Sequence, residues 1–158
     1  MLRMSKLTDY GTLVLARLAT SRELTTTAAL AETTGLPLPT VRKLLKALAS
    51  AGLVTSERGV AGGYRLSRSA GTISAADILT ALEGPLHLTE CSAATHDCQL
   101  EATCTVGSAW QRINGHIRSA LEAVTLEDLV RDAEPSVEFE RRLQPITEIT
   151  VRNQRHSA

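Results

Sequence analysis

The chain has 158 residues, 43% apolar but only 3% aromatic, so any core must be built from Leu, Val, Ile and Ala. That length suits one domain with an added element, and no apolar run approaches the ~18 residues of a membrane-spanning helix. The net charge of zero hides an asymmetry: residues 1–68 hold ten Lys/Arg against four Asp/Glu, net +6, and residues 69–158 hold seven against thirteen, net −6. A cationic half within a neutral protein points to an anionic partner for that half alone.

The opening MLRMSKLTDYGTLVLARLA carries charges inside its apolar stretch and reads as a helix over residues 7–20 rather than a signal peptide. A short second helix over 26–34 has Thr25 and Thr26 as cap candidates and Gly35 as the terminating residue that accepts positive φ. Leu36-Pro37-Leu38-Pro39 cannot continue it, and Pro39 suits the first turn of a third helix that runs to Ala51. Val41, Leu44, Leu45 and Leu48 form the inner face of that third helix, and Thr40, Arg42, Lys43 and Lys46 the outer one. A helix, a short turn and a second, basic helix make a helix-turn-helix pattern. Such a basic helix places its N-terminal side chains at base edges in a major groove, with Arg and Lys serving phosphates or guanine.

Leu53–Glu57 reads as a strand, Gly62-Gly63 as a tight turn and Tyr64–Ser67 as the returning strand. A hairpin directly after the basic helix is the wing of a winged helix-turn-helix. Arg58, Arg65 and Arg68 cluster around it, while Gly62 and Gly63 let backbone approach phosphate. Tyr64 reads as a core aromatic ahead of a DNA contact. Ser74-x-x-Asp77 resembles a capping box opening a helix over 74–83, which Gly84-Pro85 ends.

From Thr105 the residues Val106, Trp110, Ile113, Ile117, Ala120 and Val124 follow a heptad spacing, which predicts two helices packed along their length. Two-fold DNA sites favour placing the second helix on another copy of the chain, a homodimer, over packing within one subunit. Asn114-Gly115 interrupts this helix, since Gly costs about 1 kcal/mol against Ala. A short final helix starts at Thr125 with acids in its first turn, and residues 133–158 read as a mobile tail with scope for a local helix. The division is therefore 1–84 for a mainly α winged helix-turn-helix domain, 85–104 for a cysteine loop, 105–132 for a dimerisation helix with the short final helix, and 133–158 for the tail.

All three cysteines, Cys91, Cys98 and Cys104, lie in the loop CSAATHDCQLEATC. An odd count without export signals argues for cytoplasmic metal or redox chemistry over a disulfide framework. Three convergent thiols suit an iron–sulfur cluster, zinc or a cuprous ion. Zinc sites use closer Cys pairs, so gaps of six and five residues favour a cluster. A thiol–disulfide switch and three merely packed thiols are the alternatives. A cluster needs a fourth ligand, and His87, Glu90, His96, Asp97 and Glu101 lie near without spacing singling one out. The sequence holds neither a phosphate-binding Gly-rich loop nor a catalytic triad, and its four histidines are scattered, which argues against an enzyme.

The segments SKLTDYG…LARLA, LPTVRKLLKALASAGLV, RGVAGGYRL, ISAADILTALEG, the three cysteines and TLEDLV together resemble bacterial winged-helix regulators of the IscR, NsrR and CymR type, the Rrf family, over residues 1 to about 131. LTDYGT, ALEGP, TEC and GSAWQRIN are similar to the branch that regulates the SUF iron–sulfur assembly system. This resemblance implies cytoplasmic homodimers joined by the long helix after the loop. It also implies a cluster held by Cys91, Cys98 and Cys104, with 2Fe–2S favoured and 4Fe–4S possible. In one branch a histidine three residues after the last cysteine completes the site; here that position is Gly107. In another, an aspartate on the first helix of the partner subunit does so, and Asp9 matches that position. The expected function is a dimeric transcription regulator, a repressor of iron–sulfur assembly genes, whose affinity for an operator in double-stranded DNA follows cluster state. A cluster-free regulator controlled by a thiol switch, zinc or a protein partner is the alternative.

Overall fold

The computed structural model describes residues 4–59, 61–89, 92 and 104–131. Cys91, Cys98, His96 and the proposed tail 133–158 lie outside the described residues.

Helix α1 spans Lys6–Thr20, with the Ser5 side chain accepting from the Leu7 N–H as its cap. Helix α2 spans Thr27–Thr34, capped by Thr26 and ended by Gly35 at φ 69°. Helix α3 spans Leu38–Ser50 with Pro39 in its first turn. These bounds agree with the sequence reading to within a residue or so, because caps and prolines act locally. Val14, Leu15 and Leu18 of α1, Leu30 of α2, and Val41, Leu44, Leu45 and Leu48 of α3 are buried together. Each such side chain contributes about 1.5–3 kcal/mol by leaving water. The aliphatic composition thus becomes a Leu/Val/Ile core with Tyr10 and Tyr64 at its margin.

Strands β1 (Val54–Glu57) and β2 (Gly63–Leu66) pair antiparallel, with Val54 opposite Leu66 and Glu57 opposite Gly63. The expected tight turn at Gly62-Gly63 is not what closes this hairpin. The connection runs from Arg58 to Gly62, turning at Gly59 with φ 123°, and the Gly62 N–H donates to the Gly59 carbonyl at 3.0 Å. Gly63 belongs to the strand instead. It lies against the backbone of Thr25, where a Cβ would meet main-chain atoms at 3.0 Å. Reciprocal 2.9 Å hydrogen bonds between Thr25 and Tyr64 fasten the segment before α2 to the wing. A side chain at Gly63 would press on the main chain of Leu24 and Thr25 and push it back, so glycine suits that approach.

After a 3-10 turn at Ala70–Thr72, helix α4 spans Ala75–Glu83. Its capping box forms as the sequence predicts: Ser74 accepts from the Asp77 N–H at 3.1 Å and Asp77 accepts from the Ser74 N–H at 3.0 Å. Ile78 and Leu79 point inward. Helix α5 spans Gly107–Glu122 and packs along α4. Helix α6, Leu126–Arg131, returns to α1, and Leu126 is fully buried in the same core as α1–α3. Backbone bonds from Ala75 N–H to the Val124 carbonyl (2.8 Å) and from Leu126 N–H to the Ile73 carbonyl (2.7 Å) close the α5–α6 junction onto the start of α4.

An N-cap hydroxyl replaced by Ala costs about 1 kcal/mol. Ser74→Ala is therefore expected to lower the unfolding free energy by about that amount, read as a urea midpoint lowered by that energy divided by an unchanged m value. An unshifted midpoint would mean that the box is not formed in solution.

Candidate nucleic-acid interface and cysteine site

Helix α3 exposes Arg42, Lys43 and Lys46, leaves Thr40 half-buried in its first turn, and turns its leucines to the core. Arg58 is exposed where the wing loop begins. Among the described residues no Lys or Arg from Lys6 to Arg58 forms an ion pair, whereas Arg65, Arg68, Arg118 and Arg131 all do. The positive potential of the N-terminal half is thus concentrated where no carboxylate quenches it. Two of the three wing arginines are placed differently from the others. Arg65 pairs across the hairpin with Glu57 at 2.8 Å, and both side chains stay exposed. Arg68 is drawn out of the wing: it donates to the Thr72 carbonyl and to Asp77, 2.8 Å away, so it braces the start of α4. Gly62 is half-buried and Gly63 buried.

Of the described cysteines, Cys104 is a half-buried free thiol just before α5. Gly107, in the first turn of α5, is buried beside it, and among the described residues only Cys104 would touch a Cβ there, its Sγ at 3.5 Å. The position three residues after the last cysteine therefore does face the sulfur, and its glycine offers no donor there. The donor chemistry fits an iron–sulfur group: a half-buried free thiol in a segment whose other two thiols are close in sequence. Among the described residues no three His, Cys, Asp or Glu side chains already form a metal site. Asp9 is exposed in the first turn of α1, and its carboxylate has no partner among the described residues. His87 is exposed beside α5.

The loop is anchored by Asn114, the neighbour of the helix-weakening Gly115. Asn114 accepts a hydrogen bond from the Leu88 N–H at 3.2 Å, holding the loop's first turn to α5. Thr89 and Ser92 bond to each other, Thr89 N–H to the Ser92 hydroxyl at 3.1 Å. Gly115 faces open space. The heptad row is also shorter than its sequence. Val106 is the N-cap and Val124 lies past the C-cap Ala123, so the helical part runs from Trp110 to Ala120. Val106, Trp110, Ile113, Ala120 and Val124 are exposed. Ile117 is half-buried and lines a groove of about 390 Å³ with Leu79, Leu86 and Leu121 of its own chain.

One cluster went unseen in the sequence. Glu83, the last residue of α4, accepts from the Ser5 N–H (3.3 Å), the Ser5 hydroxyl and the Thr8 hydroxyl, all through Oε1. These bonds, the Ser5 hydroxyl foremost and then Thr8, hold its carboxyl below the ordinary 4.5 against a small opposing effect of burial. The one local signal was an acid at a helix C-terminus, where the dipole disfavours it.

Three α-helices, a hairpin wing and a cationic helix face without ion pairs define a winged helix-turn-helix protein, here with a thiol-bearing segment and an added helix with an exposed apolar row. The chain belongs to the Rrf2 family, described as an iron-dependent transcriptional regulator, which matches residues 4–132. It is 34% identical over 107 residues to the HTH-type transcriptional regulator IscR of Vibrio atlanticus (strain LGP32), covering 68% of this chain and 61% of that one. For the protein of the same description in Vibrio vulnificus (strain YJ016) the figures are 35%, 68% and 63%. The chain thus spans less than two thirds of the length of these relatives. Among solved structures it is similar to CymR (YrzC), the global cysteine regulator of B. subtilis, with a TM-score of 0.64 and 32% identity over 83% of this chain and 98% of that one. It is also similar to T. potens IscR, with a TM-score of 0.63 and 30% identity over 86% and 91%. The winged-helix expectation holds, and these relatives are regulators rather than enzymes.

A carboxyl held low in the folded state adds stability above its unfolded value near 4.5, and that stability is lost as pH falls through the lower folded value. Glu83→Gln keeps an acceptor oxygen but cannot titrate. Its urea midpoint is expected to fall less steeply than the parent's as pH drops below 4.5. An identical acid limb in both proteins would mean that Glu83 is not bonded to Ser5 and Thr8 in solution.

Proposed function

We propose that the chain is a cytoplasmic, homodimeric transcription regulator that binds operator DNA through α3 and the wing and senses an iron–sulfur cluster held by Cys91, Cys98 and Cys104. The observation that carries this reading is the half-buried free thiol of Cys104, faced by a glycine rather than by a ligand side chain at position 107, at the start of the helix that also bears the exposed apolar row. A thiol that lacks a donor at that position, at the root of an apolar surface, suits a site completed from a second subunit. Asp9 is the proposed fourth ligand, from the partner. It is exposed and unpartnered among the described residues, as a ligand to another chain must be. Trp110, Ile113 and Ala120 form the centre of the proposed dimer face, with Val106 and Val124 at its ends and Ile117 shared with the protomer's own groove. A cluster bound there, 2Fe–2S in the favoured form and 4Fe–4S in the other, supplies a group whose oxidation or loss changes the charge and shape of the loop. Differential DNA affinity then requires a coupling of about 1–3 kcal/mol between two arrangements of the dimer. The regulated genes are proposed to be those of SUF-type iron–sulfur assembly, under repression.

On the DNA side, Arg42, Lys43 and Lys46 are the proposed groove and phosphate contacts on α3, with Thr40 near a base edge. Arg58 and the Gly62 backbone serve the wing, and Arg65 joins them by exchanging Glu57 for phosphate, whereas Gly63, expected at this surface, is buried against Thr25. An exposed ion pair is worth only about 0–1 kcal/mol, so that exchange costs little. Similarity to the cysteine regulator CymR favours a second reading, in which the thiols act as a switch or bind zinc without a cluster. Metal analysis separates the two.

For DNA, Lys43→Ala or Lys46→Ala is expected to weaken binding across sequences and to make the plot of log K against log salt shallower by about one unit. An unchanged slope removes that residue from the interface. For the cluster, protein purified without oxygen should be brown. Cys98→Ser should abolish the colour and leave the dimer, and Asp9→Ala should alter the spectrum or shorten the cluster's lifetime. Colourless protein carrying zinc would defeat the cluster reading.

A further inference from the structure

Glu83 stands at the wrong end of its own helix and the right end of another. A carboxylate at the C-terminus of α4 opposes that helix's dipole, whereas at the N-terminus of α1 it meets free N–H groups and a positive end. All three donors there converge on one oxygen: the N–H and hydroxyl of the α1 cap Ser5, and the hydroxyl of Thr8. In an ordinary capping box the cap N–H is taken by the third helical residue of the same helix. That residue is Thr8, and it too gives its hydroxyl to Glu83. Thr8 is only 3% exposed, so without Glu83 a buried hydroxyl loses its acceptor. A second contact adds to the first. A Cβ at Gly11 would collide with the Leu82 side chain, so the first two turns of α1 lie directly on the last turn of α4.

Two features give this clamp a consequence beyond packing. Asp9 follows Thr8 and is held by no side-chain bond among the described residues, so its direction is set by the turn that Glu83 fixes. On the other side, Gly84 (φ 92°) and Pro85 follow Glu83 at once, and the chain leaves α4 for the cysteine loop. Within one protomer, the carboxylate offered outward and the base of the cysteine loop are thus joined through one side chain.

We propose that Glu83 is a positioning residue for the cluster site, fixing the first turn of α1, and so Asp9, to the root of the cysteine loop. The proposal rests on the reading of Asp9 as a ligand to the partner's cluster. Under that reading each Glu83 ties the ligand given to one cluster to the loop that holds the other. The two sites of a dimer are then mechanically linked.

The test uses full-length protein reconstituted with its cluster without oxygen and then exposed to air, with the decay of visible absorbance as readout. Glu83→Ala is expected to shorten the cluster's lifetime about tenfold, the scale on which supporting residues act on metal sites. Glu83→Gln, which keeps an acceptor oxygen, should retain most of it. In an Asp9→Ala background, Glu83→Ala should change nothing further. In cluster-free protein, amide hydrogen exchange at residues 5–9 should quicken in Glu83→Ala, a readout independent of the cluster. If Glu83→Ala does not fold, Thr8→Val removes one donor at nearly constant shape, and the same lifetime and Asp9-dependence are expected. If Asp9→Ala shortens the lifetime while Glu83→Ala leaves it alone, or acts equally in both backgrounds, the positioning role is overturned and the ligand reading stands. A cluster indifferent to Asp9→Ala overturns both.

Discussion

Helix α4 is fastened at each end to a different part of the molecule, and the remaining architecture depends on that double attachment. At its start, the Ser74–Asp77 box is braced by Arg68 from the wing exit, and the Ala75 N–H binds the Val124 carbonyl at the α5–α6 junction. Burial works to raise the Asp77 carboxyl, but bonds from Ser74 and the Arg68 guanidinium outweigh it and hold the group below its usual range. At the other end, Glu83 grips Ser5 and Thr8. A nine-residue helix is thereby bonded at its start to the wing exit and the α5–α6 junction and at its end to the first turn of α1.

Charge is arranged by the same logic. The ion pairs at Arg65, Arg68, Arg118 and Arg131 are all exposed or nearly so, and such pairs add little stability. Their effect is on distribution: they quench positive charge along the far side of the wing, α5 and α6. The cations of α3 keep theirs. A neutral protein thereby presents one strongly cationic face beside an aliphatic core that Leu126 of α6 completes.

The cysteine segment shows how one residue type serves two purposes. Gly107 both starts α5 and faces Cys104 Sγ without a side chain. Asn114, polar in an otherwise apolar row, holds the loop's first turn through Leu88. Its cost to helix propensity is offset by a hydrogen bond between residues 26 apart. The row is consequently split. Trp110, Ile113 and Ala120 remain outside, and Ile117 faces the groove beside α4.

By itself the sequence determined whatever is decided within about one turn of chain. The Thr26 and Ser74 caps, the Gly35 stop, Pro39 in the first turn of α3, the buried leucines of α3 and its cationic face all follow from spacing and local chemistry. So do the existence of the wing and the crowding of three thiols into one segment. Tertiary structure alone decided the rest, because distant residues compete for the same hydrogen-bonding groups. Gly63 became a strand residue because Thr25 bonds to its neighbour Tyr64 and packs its own backbone against Gly63. Arg68 left the wing because the α4 cap offered a carboxylate, Asn114 became an anchor because Leu88 supplied an N–H, and Glu83 found its donors on a helix some eighty residues earlier. Local propensity counts the groups that a residue offers, whereas only the folded chain brings their partners within reach.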